Sequence, residues 1–141
     1  MDYTDFKIIS YLQKDGRISM KNLAKEISLS PPATAERVRR LEENGTIKQY
    51  KAIVDSKKVE KPIRVFINVD MKADKQSKFL EFALESKEIV DCYHVTGPYS
   101  MILMAYLKEM SHLEELVGKV QMYGNTETHI IMSSPIENKP I

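Results

Sequence analysis

Three arginines lie close together in the segment LSPPATAERVRRL, residues 29–41. Guanidinium groups bind phosphate oxygens and the acceptor edge of guanine, so Arg37, Arg39 and Arg40 have the chemistry to hold a polyanion. The side chains of residues 32–34 are compact and would let the backbone come close to a ligand. A charge run of this kind can also be the solvated face of an ordinary amphipathic helix. The elements around the segment must decide between these interpretations.

Other residues with chemical potential are few. Cys92, His94, His112 and His129 are the only thiol or imidazole groups, and none has CxxC or HExxH spacing. Cys92 and His94 would share one face of a strand, which could suit a metal, but a structural role is the favoured interpretation. The sequence has five glycines and contains no GxGxxG or GxSxG motif. We therefore expect neither an enzyme nor a bound metal or cofactor.

Composition and charge are typical of a globular protein with an uneven charge distribution. The 141 residues are 43% hydrophobic and 29% charged, and the chain is long enough for two small domains. Residues 1–60 contain 12 Lys and Arg against 9 Asp and Glu, whereas residues 61–141 contain 9 against 11, which favours a polyanionic partner for the first part. The longest apolar run, Met101–Leu107, is far shorter than the roughly 20 residues of a membrane span. With a single cysteine, the chain is predicted to be cytoplasmic, with no membrane partner.

The first half predicts three helices. Phe6, Ile9 and Leu12 recur at helical spacing, and Gly16 marks the end of the first helix. Ser19 is a good N-cap for a short second helix. The apolar stripe of this second helix comprises Leu23, Ala24 and Ile27.

The third predicted helix contains the arginines. Ser30 is expected to cap it, Pro31 occupies the first position, where its missing N–H costs nothing, and Gly45 marks its end. A helical wheel separates a buried side from an exposed side: Thr34, Val38 and Leu41 against Ala33, Glu36 and Arg40, with Arg37 on the flank. A helix, a short helix, a three-residue break and a third helix have the spacing of a helix-turn-helix. This context favours a helix that binds DNA over one that is merely solvated.

After Gly45 the pattern changes. Residues 46–55, TIKQYKAIVD, are rich in β-branched side chains and predict a strand that forms a wing or pairs with another strand. Residues 56–62 are charged, end in proline and suit a linker. The predicted domains are therefore a helix-turn-helix domain with its following strand at 1–55 and a second domain at 63–141.

Residues 63–141 alternate strand and helix patterns. Val65, Ile67 and Val69 interleave with polar residues, which predicts a strand with one buried face. The patterns that follow are a helix around Phe79–Leu84, strands at 89–95 and 100–107 joined by the turn Gly97-Pro98, a helix around Leu113–Val120 and a last strand at 128–133. The order β-α-β-β-α-β is the ferredoxin-like arrangement. The predicted fold class is α+β, with an N-terminal winged-helix-like helix-turn-helix and a C-terminal ferredoxin-like domain.

Residues 15–55 resemble the DNA-binding half of the leucine-responsive and asparagine-responsive regulators, the Lrp/AsnC or feast/famine family. Many positions agree with the family in order and spacing, and Asp5 and Ile9, which lie before this range in the first helix, agree as well. They include Gly16-Arg17-Ile18-Ser19, Leu23-Ala24, Leu29-Ser30, Arg37-Val38, Arg40-Leu41-Glu42, Gly45, Ile47, Tyr50 and Ala52. The second half is similar to the regulatory domain of the same family, so the resemblance covers essentially the whole chain.

The resemblance implies which residues face DNA and how the protein assembles. The third helix would be the recognition helix, presenting Ser30, Pro32, Ala33, Glu36, Arg37 and Arg40. The family forms homodimers mainly through the C-terminal domains, and these often assemble further into octamers. A dimer would set two recognition helices about 34 Å apart, which predicts a pseudo-palindromic site on double-stranded DNA.

The resemblance also implies a site for a small effector, commonly an amino acid, at interfaces between dimers. The family carries a GxxD pattern in the loop between the second and third strands of the regulatory domain. Here Gly97 matches and Ser100 replaces the acidic residue, so the carboxylate that would pair with an effector's ammonium group is missing from this loop. The residues predicted to bind the effector are Thr96, Gly97, Tyr99 and Ser100; a simple tight turn at Gly97-Pro98 is the alternative.

These observations predict a sequence-specific DNA-binding transcriptional regulator that responds to an amino acid or another small effector. An architectural protein that wraps DNA with little response to ligand is an alternative within the same class. A ferredoxin-like enzyme or RNA binder is a more distant one, because the sheet lacks an acid-base cluster and residues 99–106 lack the basic and aromatic pattern of an RNA-binding strand.

Overall fold

A computed structural model describes all residues from 1 to 141 and divides them into two units. The helical unit contains residues 1–53 and 136–141, and the sheet unit contains residues 54–135. Each unit has a hydrophobic core of its own. Residues 136–141, which the sequence pattern placed in the second domain, lie with the helical unit. None of the helices is both long enough and apolar enough to span a membrane.

The helical unit contains α1 (Tyr3–Lys14), α2 (Met20–Ile27) and α3 (Pro31–Glu43). Each helix starts at a side chain that accepts a backbone hydrogen bond from the first turn: Asp2 for α1, Ser19 for α2 and Ser30 for α3. The two predicted serine caps are therefore confirmed. The prolines occupy the first two positions of α3, where backbone N–H groups lack an intrahelical partner.

The buried stripe of α1 differs from the predicted one. Ile8 and Leu12 are buried, whereas Phe6 is 60% exposed and Ile9 is only half-buried. Asp5 completes the stripe one turn before Ile8 and is itself buried. The prediction was wrong at Phe6 because a carboxylate occupies a core-facing position, which a search for apolar spacing does not detect.

A left-handed residue makes the turn between α2 and α3. Ser28 has φ 57° and ψ 43°, and its backbone N–H donates to the carbonyls of Ala24 and Lys25. The backbone N–H of Leu29 also donates to Ala24, at 3.0 Å. This Schellman-like ending satisfies the last carbonyls of α2 and redirects the chain within two residues.

The predicted strand at 46–55 is not formed. The segment contains no strand residue, and Ile53 and Val54 are 69% and 59% exposed. It is held against the helices instead, since the Tyr50 hydroxyl donates to Glu42 at 2.8 Å and the backbone N–H of Ile47 donates to Leu41 at 2.9 Å. Burial, together with the bond to Glu42, raises the pKa of Tyr50 to about 12. A strand needs a partner edge, and the helical unit offers none.

The sheet unit contains four strands and two helices. In chain order they are β1 (Ile63–Met71), α4 (Gln76–Glu85, entered through the 3-10 turn Ala73–Lys75), β2 (Ile89–His94), β3 (Met101–Leu107), α5 (Met110–Gln121) and β4 (Gly124–Ile130). The strands are ordered β2-β3-β1-β4, and every neighbouring pair is antiparallel. The predicted ferredoxin-like arrangement is confirmed.

One face of this sheet forms the core and the other remains open. Val65, Ile67 and Val69 of β1 are fully buried, and they belong to the same hydrophobic cluster as Phe79 of α4 and Leu116 of α5. The opposite face, here called the outer face, carries a mixture of apolar and polar side chains on alternate residues of the four strands. Its members include Phe66, Asn68, Asp70, Tyr93, Ile102, Met104, Tyr106, Glu127 and His129.

The last strand starts four residues earlier than predicted and ends three residues earlier. β4 starts at Gly124, which pairs with Met71, and ends at Ile130. A Cβ on Gly124 would lie 2.2 Å from the Asp70 carbonyl oxygen, so the close approach that starts this pairing requires glycine. The sequence pattern missed residues 124–127 because β4 is an edge strand whose side chains alternate between half-buried and exposed rather than between apolar and polar.

Candidate nucleic-acid interface and regulatory loop

α3 exposes a compact first turn. The Ser30 hydroxyl oxygen accepts from the Ala33 backbone at 3.4 Å, and the Ser30 carbonyl accepts from the Thr34 hydroxyl at 3.0 Å. Thr34, Val38 and Leu41 are buried and fix the helix on the rest of the unit. Pro32 and Ala33 are exposed on the first turn of α3. This surface has small side chains that would allow a close approach to a groove.

Arg37 is not a free cation. Its Nη1 atom donates to Asp5 at 2.6 Å and to Asp2 at 2.8 Å, and its side chain is 27% exposed. These two hydrogen bonds raise the pKa of the Arg37 guanidinium, that to Asp5 more strongly. The guanidinium therefore joins the middle of α3 to the first turn of α1.

The other two arginines of α3 differ in their partners. Arg39 is paired with Glu36 at 2.8 Å and with Glu43 at 2.7 Å, in a fully exposed network along the helix. Glu36, predicted to face DNA, is thus held by a neighbouring arginine. Arg40 is exposed and has no ion pair within the chain. It lines a shallow cleft of about 430 Å³ with Asp5 and Glu43.

Sequence reasoning missed two groups of residues at this surface. Asp2 and Asp5, which hold Arg37, lie more than 30 positions away in the chain, and the only local signal was the acidic residue at a core-facing position of α1. The second group consists of cations in and before α2 that are exposed and make no ion pair. They are Arg17, Lys21 and Lys25.

The loop between β2 and β3 closes on the end of β1. Gly97 has φ 114°, which an L side chain rarely adopts, and the Val95 backbone N–H donates to the Ser100 carbonyl at 3.0 Å. The Ser100 hydroxyl accepts from the Met71 backbone N–H at 3.2 Å and lies 3.3 Å from the Met71 carbonyl. Ser100 is thus engaged with β1, while Thr96 is exposed.

Carboxylates from other strands lie beside this loop. The Tyr99 hydroxyl donates to Glu127 of β4, and this bond is the main reason that the pKa of Tyr99 is raised. Asp70 of β1 adds negative charge in the same region. On β4, His129 Nε2 lies 3.2 Å from the amide nitrogen of Asn68 and 3.9 Å from Glu127. Position 100 itself has no carboxylate, but Glu127 and Asp70 supply carboxylates beside the loop. The sequence of the loop alone could not reveal them, because they lie on β4 and β1.

Three clefts, of about 630, 430 and 260 Å³, are lined by residues other than those of the predicted loop. The cleft of about 630 Å³ lies between α4 and α5 and is lined by residues such as Phe82, Glu115 and Lys119. Cys92 is half-buried beside the core, and burial raises the pKa of its thiol. His94, two residues later, is exposed.

The fold and these surfaces define a helix-turn-helix DNA-binding protein with a ferredoxin-like second domain. Residues 1–48 match the family described as winged helix-turn-helix DNA-binding, and residues 64–141 match the Lrp/AsnC ligand binding domain. The chain is 35% identical to the HTH-type transcriptional regulator LrpC of Bacillus subtilis, over 94% of this chain and 92% of that protein. It belongs to the Lrp/AsnC family and is a DNA-binding transcriptional regulator.

Solved structures agree with this assignment. The structure of B. subtilis LrpC superposes with a TM-score of 0.90, covering 95% of this chain and 96% of that one. A feast or famine regulatory protein from M. tuberculosis, solved in complex with L-methionine, is 27% identical and superposes with a TM-score of 0.86, covering 96% of this chain and 95% of that one. The resemblance seen in the sequence is confirmed across both units.

Proposed function

We propose that α3 is the recognition helix of this regulator and that it enters the major groove of double-stranded DNA in the cytoplasm. The observation that carries the proposal is that α3 combines a compact, exposed first turn with an unpaired cation. Ser30, Pro32 and Ala33 form that turn, and Arg40 lies two turns later on the same side of the helix. Their spacing suits contacts to base edges near the helix start and to a phosphate further along.

The proposal predicts a specific salt dependence. DNA binding should weaken with salt, and Arg40→Gln should lower the slope of log K against log salt by about 0.9 for each protomer bound. Fluorescence anisotropy with DNA from upstream of the protein's own gene would measure it. Arg39→Gln is the matched control, because Arg39 is already neutralised by Glu36 and Glu43. Equal slopes for Arg40→Gln and the wild type would contradict this placement of α3.

We further propose that the protein is a homodimer, and that dimers assemble into octamers, as the family resemblance implies. The outer face of the sheet supports a contact with a second copy. Phe66 of β1 is 37% exposed and Tyr93 of β2 is 52% exposed, and the half-buried Ile102 and Met104 lie between them on β3. A contact with a second copy would bury this exposed apolar area, which favours association.

We propose an amino acid as the effector, bound beside the loop of Thr96, Gly97, Tyr99 and Ser100. Glu127 supports the proposal because its carboxylate, held by Tyr99, can receive an ammonium group in place of the acidic residue absent at position 100. The family resemblance implies a site at interfaces between dimers, so we expect a second subunit to close it. The methionine complex of the M. tuberculosis relative supports an amino acid as the ligand class.

A thermal-shift series with the twenty amino acids at millimolar concentration tests this proposal. A ligand at 100 times its dissociation constant stabilises the protein by about 2.7 kcal/mol, which gives a clear shift. Glu127→Gln should abolish the shift while leaving the melting temperature without ligand close to that of the wild type, because Glu127 is half exposed. A shift that persists in Glu127→Gln would remove Glu127 from the site, and no shift with any amino acid would contradict the ligand class.

A further inference from the structure

One cluster in the helical unit contains three charged side chains that come from two helices. Asp5 is 3% exposed, and its carboxylate accepts from Arg37 through Oδ1 and from the Asp2 backbone N–H through Oδ2, the latter at 2.9 Å. The Asp2 carboxylate accepts from the Asp5 backbone N–H at 2.9 Å and from Arg37 at 2.8 Å. The reciprocal bonds between Asp2 and Asp5 form the capping box of α1.

The charges of this cluster do not favour a phosphate. One guanidinium and two carboxylates leave a net charge of −1, so the surroundings of Arg37 repel an anion rather than attract it. Both carboxylates are held by Nη1, so a phosphate bound by that nitrogen would displace Asp5, which would then be buried without its cationic partner. Arg40 would not have to break an ion pair to bind a phosphate, because it is exposed and unpaired.

The same bonds fix the position of α3. The start of α1 and the middle of α3 are joined by a single Arg37 nitrogen that reaches both carboxylates. Elsewhere the helices meet through apolar contacts among Ile8, Val38 and Leu41, which are not directional. The ion cluster supplies the directional contact.

We propose that Arg37 is a positioning residue: it holds α3 at the angle that presents the compact turn and Arg40 to DNA, and it makes no phosphate contact itself. This inference rests on the proposed recognition role of α3. It replaces the expectation from sequence that Arg37 faces DNA alongside Arg40.

The test compares Arg37→Gln with the double variant D5N/R37Q, which leaves no buried charge and lets a neutral amide pair connect the helices. Arg37→Gln should lower the melting temperature by about 10 °C or more, because it removes the cationic partner of a buried carboxylate. At a temperature where circular dichroism shows it folded, its DNA affinity should be about tenfold weaker. D5N/R37Q should recover most of both losses, with the salt slope of the wild type.

Two outcomes would overturn the proposal. A salt slope for D5N/R37Q that falls as far as that of Arg40→Gln would make Arg37 a phosphate contact. If folded Arg37→Gln bound DNA with wild-type affinity, Arg37 would contribute to stability only. If Arg37→Gln does not fold, D5N/R37Q still decides the first point. Failure of the proposed recognition role of α3 is a separate outcome: the salt slope of DNA binding by Arg40→Gln would then equal that of the wild type.

Discussion

At the scale of single residues, two arginines three positions apart in α3 have different environments. Arg37 is held by Asp2 and Asp5, whereas Arg40 has no ion pair. The sequence places both on the exposed side and flank of one helix, and nothing in their local spacing separates them. Their difference depends on α1, whose carboxylates come from far along the chain, and this long-range contact is why the sequence could not predict it.

The acidic partners of Arg37 predict how stability changes with pH. The backbone N–H of Asp2, and then the Arg37 guanidinium, hold the pKa of the Asp5 carboxyl below its usual value. Asp5 therefore contributes its full stabilisation above its unfolded pKa, about 4, and loses it as pH falls through the lower folded pKa. Melting curves of the wild type from pH 7 to pH 2.5 should show a falling melting temperature below about pH 4.

The control for this prediction is the variant D5N/R37Q. It lacks the titrating carboxyl at position 5 but keeps Asp2, so its melting temperature should fall less between pH 4 and pH 2.5 than that of the wild type. Parallel curves for the two proteins would show that Asp5 does not contribute to acid unfolding.

At the scale of elements, the sequence predicted those whose signals are local. The caps at Ser19 and Ser30 and the prolines of α3 determine where α2 and α3 start, and all lie within the first turns that they cap. The strand predicted at 46–55 is absent, and the last strand was predicted with the wrong bounds, because strands depend on partners elsewhere. The first segment has no edge to pair with, and β4 is placed by its pairing with β1. For the loop at Thr96–Ser100, sequence predicted the turn but not its neighbour Glu127.

The turn between α2 and α3 carries a strained residue that can be relieved. Ser28 has a left-handed conformation with φ 57°, which costs a non-glycine residue about 1 kcal/mol. Ser28→Gly should raise the melting temperature of the helical unit by a few degrees, measured by circular dichroism or calorimetry. Ser28→Ala keeps the Cβ and should give no increase. If Ser28→Ala raised the melting temperature as much as Ser28→Gly, relief of backbone strain would not be the cause.

At the scale of the whole molecule, the proposed dimer contact on the outer face of the sheet can be tested. Phe66→Glu places a charge at the middle of β1 and should convert a dimer into a monomer, as measured by size-exclusion chromatography with light scattering. Leu84→Glu is the matched control, because Leu84 is 87% exposed on α4, away from the outer face. An unchanged mass for Phe66→Glu would mean that the dimer uses another surface.

The proposed dimer also predicts how DNA is bound. A dimer reading two successive major grooves, about 34 Å apart, should protect one discrete pseudo-palindromic site in footprinting. Long protection repeating with the helical period would instead indicate wrapping around a larger assembly. Footprinting with Phe66→Glu tests whether assembly and DNA binding are linked, because a monomer should no longer protect the discrete site.

The division of the chain has a consequence for labelling experiments. Residues 1 and 141 belong to the same unit, and the backbone N–H of Ile141 donates to the Gln13 side chain at 2.8 Å. Dyes attached at the two termini would therefore report a distance inside the helical unit and would not detect a movement of the sheet unit. A donor and acceptor pair that reports on communication between effector and DNA needs one label within residues 54–135, and the single Cys92, half-buried beside the core, is a poor attachment point for it.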